Sequence, residues 1–303
     1  TGAVLAMASV PSFDPNGIDA IFPALQQAAS SPLINRATGG LYPPGSTFKI
    51  ITAADALDSG TVTMDSQFED PGYFTIGNYT VHDDEGEVPG TLDLTGAFAK
   101  SSNVDFAQIA LKLGSDTWYE YASKWGLGQS LDFQLPAARD RFPAKAEMYP
   151  GILAQMGFGQ ASLLVSPLRM ALVGATIANG GIEQRPFIVR QINKGTSRST
   201  FGVAQLAQPI SPETAQNVKN MMIAVVKSGT GTVATLPNVT VAGKTGTATN
   251  PAGKSHSWFV CFAPAQAPRV AVAIVVENSG YGATYAAPIA RDVLRVALSA
   301  IHS

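Results

Sequence analysis

Apolar and polar positions along the chain change period twice, and the changes outline the fold. The opening run GAVLAMAS (2–9) has the length and composition of a strand, and the turn-forming stretch PSFDPNG closes it. Residues 46–57 carry helical spacing that ends near Gly60. Residues 61–94 are rich in Gly, Thr, Asp and aromatics and read as turns and hairpins, with short alternating pieces such as YFTIGNYTV. A helical pattern resumes at Thr95. SSNVDFAQIALKLG (101–114) is then a helix with Gly114 as its C-cap. In 166–181, Ser166 is the expected N-cap, Pro167 the first helical residue and Gly180 the terminator. Ser211, Pro212 and Gly229 repeat that logic over 211–229.

After residue 238 the period shortens. VTVAGKTGTAT (239–249), HSWFVCFAP (256–264) and RVAVAIVVEN (269–278) are β-branched or apolar runs of strand length. Their connections are too short for parallel crossovers, so they pair antiparallel. A last helix follows from about Ala287. The order predicts an α+β fold: an antiparallel sheet flanked by helices, with a mostly helical second lobe inserted at roughly 60–205. The first strand is expected to join the late three, and a site is expected between the lobes.

Composition narrows the functional classes. The 303 residues are 46% hydrophobic and 14% charged, which is globular, and the net charge of −2 carries no nucleic-acid footprint. The acidic stretch HDDEGE (82–87) reads as a solvated turn. One cysteine, Cys261, lies in an apolar run; it reads as a buried, inert thiol, and no intrachain disulfide is possible. His82, His256 and His302 lack ligand spacing, so neither metal nor cofactor is expected. No apolar run is long enough to span a bilayer. The chain opens directly into a strand pattern at Thr1, which reads as an excised domain whose anchor region lies outside the sequence.

Candidate chemistry starts at YPPGSTFK (42–49). Ser46 and Lys49 are three residues apart at a helix start, so they share a face, beside N–H groups that favour developing negative charge. A lone S-x-x-K also describes a capping serine with a solvated lysine, but Lys49 sits beside Ile50 and Ile51 and reads as a partly buried amine. To act as a base it must be neutral. Moving a lysine from about 10.4 to near 7–8 costs about 4 kcal/mol, which burial or a second cation supplies. That requirement calls for another positive residue and a polar relay. Ser101-x-Asn103 offers a hydroxyl and an amide, although capping alone would also explain it. Lys244-Thr245-Gly246 lies in a strand pattern, with Lys244 and Gly246 on one face, Thr245 and Thr247 on the other, and Gly246 free to allow close approach. Lys227-Ser228-Gly229 has a similar outline but ends a helical run, so Lys244 is the better candidate.

S-x-x-K, S-x-N and K-T-G in this order resemble the transpeptidase domain of penicillin-binding proteins. INRATGGLYPPGSTFK, GFGQASLLVSPLRMALVGATIANGG and AGKTGTAT are similar to that family along nearly the whole chain, nearest the class B, actinobacterial penicillin-binding protein A type. The resemblance implies the serine β-lactamase and D,D-transpeptidase fold. It also implies acylation of Ser46 by the D-Ala-D-Ala end of a peptidoglycan stem peptide, then transfer to an acceptor amine. Lys49 is implied as base, Ser101 as proton relay and Lys244 as the cation keeping Lys49 neutral. Asn103, Thr245, Gly246 and Thr247 are implied in substrate binding, with the Ser46 and Thr247 N–H groups as oxyanion hole. β-Lactam antibiotics would acylate the same serine. The implied location is the extracytoplasmic face of the bacterial membrane, with cell-wall or division proteins as partners. No clear counterpart exists of the glutamate that class A β-lactamases use for deacylation, since Glu147 and Glu183 lack its surroundings. A slowly hydrolysing acyl-enzyme is therefore expected. The alternatives are a D,D-carboxypeptidase, a serine β-lactamase or a non-enzymatic β-lactam sensor.

Overall fold

The computed structural model describes residues 1–250 and 253–302. Helix α1 (Ile18–Gln27) and the short α2 (Arg36–Gly39) precede a 3₁₀ turn, Gly45–Phe48, which leads into α3 (Lys49–Asp58). Two small antiparallel pairs follow: β1 (Gln67–Asp70) with β4 (Gly90–Asp93), enclosing β2 (Tyr73–Ile76) with β3 (Tyr79–His82). Helices α4 (Leu94–Lys100), α5 (Asn103–Lys124), α6 (Pro150–Gly157) and α7 (Pro167–Ala178) come next. Short strands β5 (Glu183–Gln184), β6 (Gln191–Lys194), β7 (Ser197–Thr200) and β8 (Gln205–Ala207) lead to α8 (Pro212–Ser228). The chain closes with β9 (Ala242–Ala248), β10 (His256–Ala263), β11 (Val270–Val276) and α9 (Ala286–His302).

The late strands form an antiparallel sheet in the order β11-β10-β9. Strand β10 is apolar from Trp258 to Ala263 because both faces are covered there. Trp258, Val260 and Phe262 enter the main core with Met170, Val173 and Ile177 of α7, while Phe259, Cys261 and Ala263 face Ala287, Ala290 and Leu294 of α9. Helix α7 lies inside the span 60–205 and packs on this sheet. Burial pushes the Cys261 thiol pKa up, as expected of an inert side chain. Local signals hold where the chemistry is local. Ser166 Oγ accepts from Arg169 N at 3.1 Å, and Ser211 Oγ accepts from Thr214 N at 3.2 Å.

The helical run expected over 46–57 is present, as a 3₁₀ turn, Gly45–Phe48, that continues into α3 and is entered through Gly45 at φ +53°. Three expectations are corrected. The run 2–9 does not join the three-stranded sheet; it makes one parallel bridge, Ala3 to Phe187, and Leu5 is exposed. Its apolar composition finds no covering face over most of its length. Gly114 interrupts α5 (φ 78°, ψ 157°) without ending it, and the helix resumes to Lys124. The stretch 82–87 is not simply a solvated turn: Asp83 is buried, and its carboxylate receives the first N–H groups of α5.

Candidate active site

The nucleophile turn is fixed by its neighbours rather than by helix geometry. Gly45 N donates to Gly159 O at 2.9 Å, Trp258 Nε1 to Pro43 O at 2.9 Å, and Thr47 Oγ1 to Pro44 O at 2.7 Å. Strand β9 lies directly against this turn. A Cβ on Gly246 would stand 2.8 Å from Thr47 Cγ2 and 2.9 Å from Pro44 O. The close approach that Gly246 permits is therefore made to the serine's own turn.

Ser46, Asn103 and Thr247 line one cleft of about 550 Å³ between this turn, the β9 edge and the helical side. Thr247 Oγ1 accepts from Gly282 N at 3.4 Å. Thr245 is not among the cleft-lining residues; its hydroxyl lies 2.6 Å from Thr230 Oγ1. Asp84, unremarked in the sequence, is the only carboxylate among the described residues lining the cleft. Glu183 is buried against Arg169, and Glu147 accepts from Ala144 N, so neither faces the cleft.

The two lysines converge from separate elements. Lys49, fully buried at the start of α3, donates to Ser101 O (2.6 Å), Asn103 Oδ1 (2.8 Å) and Ser101 Oγ (3.3 Å). Lys244, equally buried on β9, donates to Ser101 Oγ at 2.8 Å and Thr245 O at 3.2 Å. Ser101 is the left-handed C-cap of α4 (φ 66°, ψ 35°), uncommon backbone for a serine. Ser102 starts α5 by accepting Asp105 N at 2.9 Å. This two-residue link between helices presents Ser101 Oγ to both cations.

Burial lowers the Lys49 pKa to about 7, against the opposing pull of Asp84, Asp83, Asp105 and Asp70. Burial and the charge of Lys49 push Lys244 well below its ordinary range. Two ammonium groups sharing one hydroxyl in an apolar site cannot both keep their protons near neutrality. The nearby carboxylates oppose the loss of both charges, so the pair keeps one proton more readily than two.

Asp83 and Asp84 are the functional-site residues that sequence reasoning missed. They sit some twenty positions before Asn103, and only the β2–β3 hairpin brings them to it. A carboxylate just before a helix-start motif in space has no signature in a linear pattern.

The family model described as Penicillin binding protein transpeptidase domain matches residues 1–295. The chain is 36% identical to a peptidoglycan D,D-transpeptidase PbpA of Mycobacterium tuberculosis, over 98% of this chain and 65% of that protein. It thus spans less than two-thirds of the length of that relative. The D,D-transpeptidase domain of a peptidoglycan glycosyltransferase from Eggerthella lenta superposes with a TM-score of 0.93 at 36% identity, covering 99% of this chain and 76% of that one. Penicillin-binding protein A of M. tuberculosis, as a ceftriaxone acyl-enzyme complex, gives 0.92 at 34% identity over 98% and 72%. The chain belongs to the penicillin-binding protein transpeptidase domain family.

Proposed function

We propose that this chain is the catalytic domain of a peptidoglycan D,D-transpeptidase. The observation that carries the reading is the convergence of Lys49 and Lys244 on Ser101 Oγ beside a cleft lined by Ser46, Asn103 and Thr247. Ser46 Oγ attacks the carbonyl of the penultimate D-Ala, and its proton passes to the Lys49–Ser101 pair. The amide C–N bond breaks as Ser101 delivers a proton to the leaving D-Ala amine. An acceptor amine from a second stem then takes the acyl group from Ser46, leaving the cross-link and the free serine. Asn103 holds the donor amide. Thr247 binds the substrate carboxylate, with Thr245 beside it on β9 held by Thr230. The Ser46 and Thr247 N–H groups stabilise the oxyanion.

A substrate carboxylate near Lys244 would favour the charged form of that lysine, and the shared site would then drive the remaining proton off Lys49. Substrate binding would thereby prepare the base. A β-lactam would acylate Ser46 by the same route, as supported by the ceftriaxone acyl-enzyme of the similar protein. The substrate places the domain on the extracytoplasmic face of the membrane, with cell-wall or division proteins as its partners. No described helix is long and apolar enough to cross a membrane.

Intact-mass measurement after penicillin treatment tests this reading. The expected result is one added penicillin that persists for many minutes, lost in Ser46→Ala, with transfer to an added amine exceeding transfer to water for a peptide donor. An unlabelled wild type overturns the reading, and rapid release of hydrolysed penicillin would favour a β-lactamase.

A further inference from the structure

Behind the Ser101–Asn103 turn lies a group of buried carboxyls that the acyl transfer does not use. Asp83 Oδ1 accepts from Asn103 N at 2.5 Å and from Val104 N at 3.2 Å, which are the first N–H groups of α5. Asp70, at the end of β1, accepts Gly72 N through Oδ1 at 2.8 Å, and Asp83 N donates to Gly72 O at 3.2 Å. Strand pairing therefore fixes both carboxyls. The second oxygen of each, Oδ2, is buried with no donor among the described residues. The two carboxyls nevertheless face each other within hydrogen-bonding reach.

We propose that Asp83, sharing one proton with Asp70, is the positioning residue that holds the Ser101–Asn103 turn for acyl transfer. The inference rests on the functional reading above. With a proton on Asp83 Oδ2 donated to Asp70 Oδ2, both orphaned oxygens are satisfied at once, and Asp83 Oδ1 stays free for α5. Without that proton, two carboxylates would face each other in a site shut off from water. The repulsion would move Asp83 from α5 and loosen the turn that presents Asn103 Oδ1 and Ser101 Oγ to Lys49. Burial raises the Asp83 pKa to about 7, which supports the shared proton. The charged groups facing Asp83 are Asp70 from β1, Asp105 from α5 and Lys49 from α3, with Asp84 next along the chain.

An asparagine at position 83 mimics the protonated state, because its Nδ2 donates to Asp70 while its Oδ1 still accepts from α5. The experiment measures acylation by a fluorescent penicillin from pH 6 to 9, with melting temperatures alongside. Wild type should give a bell, rising as Lys49 becomes neutral and falling as Asp83 loses its proton. Asp83→Asn should stay within about threefold of wild type at pH 7 and hold a plateau above it. Asp83→Ala should be slower than wild type on the order of tenfold near neutral pH, the loss of a cap, and should show no alkaline fall, so that the gap narrows as wild type declines. Should Asp83→Ala not fold, Asp70→Asn decides, since its amide donates from the other side and should give the same plateau. An Asp83→Ala as fast as wild type overturns the proposal, as does an asparagine variant as slow as the alanine one or an alkaline fall unchanged in both asparagine variants. A wild type that penicillin never labels overturns the functional reading and this proposal with it. A labelled wild type with the wrong variant pattern overturns the positioning role alone.

Discussion

The two walls of the cleft are built on different principles. On the sheet side, β9 is placed by its register with β10, Lys244 opposite Val260 and Thr247 opposite Ser257, and by contact with the serine's turn. The backing is apolar on both faces of the neighbouring strand. On the helical side, the Ser101–Asn103 turn is held by buried polar groups: Ser102 Oγ, Asp83 Oδ1 and the two lysines. Register does not titrate, whereas carboxyls and amines do. Apart from Lys244, the sheet wall should therefore respond to substitution equally at every pH, and the helical wall should respond differently above and below neutrality.

The largest expected effect probes the point where the walls meet. Lys49→Met should lower the acylation rate by about 10²–10⁴-fold, the usual contribution of a positioned base. Lys244→Met should lower it by about 10–100-fold, the worth of a charge-assisted hydrogen bond to Ser101. Stopped-flow acylation by a chromogenic β-lactam separates them. Equal losses would mean that the two lysines act as one unit and that the division into walls fails at Ser101.

Next in size is a substitution on the sheet side. Gly246→Ala places a methyl within 2.8 Å of Thr47 Cγ2 and 2.9 Å of Pro44 O. Backbone cannot yield as a side-chain tip does, so the variant should lose about 1–3 kcal/mol of stability. Because the displaced turn carries Ser46, acylation should fall as well, by the same factor from pH 6 to 9. Denaturant melts and a pH series check both. A loss that changes with pH would show that the serine's turn is coupled to the titrating groups around Lys244 and not held by register alone.

How much of this was readable in the sequence follows the same division. Strands β9 to β11, the caps Ser166 and Ser211, and the convergence of Ser46, Lys49, Ser101, Asn103 and Lys244 follow from local pattern joined to the family resemblance. The run 2–9 misled because apolar alternation specifies a strand only where a partner edge and a covering face exist. The helical spacing over 46–57 was readable, but its 3₁₀ first turn and the positive φ of Gly45, packed against Thr247 of β9, had no local signal. Asp83 was hidden because a run of acids is usually solvated, and its burial depends on two hairpins closing over α5. Sequence reasoning did anticipate that Lys49 needs burial and a second cation. It did not anticipate the carboxylates that pull the other way on both lysines.

The smallest expected effect is also the most discriminating. Asp84 lies on the cleft surface, and its negative charge raises the pKa of both Lys49 and Lys244. Asp84→Asn removes that pull, so the Lys49 pKa should drop below its present value of about 7. Below that pH the neutral fraction of Lys49, and with it the acylation rate, should rise by about two- to threefold, as expected for an exposed charge acting across solvent. Above it Lys49 is already neutral and the rate should not change. Raising the salt concentration should shrink the difference, because the interaction passes through water. A rate measured at pH 6.5 and 8.5, in low and high salt, therefore isolates the electrostatic role. If acylation instead falls equally at both pH values, Asp84 contacts the donor directly. If acylation is unchanged but the acyl-enzyme lives longer, Asp84 activates the water that hydrolyses it, and the helical wall supplies a base for deacylation.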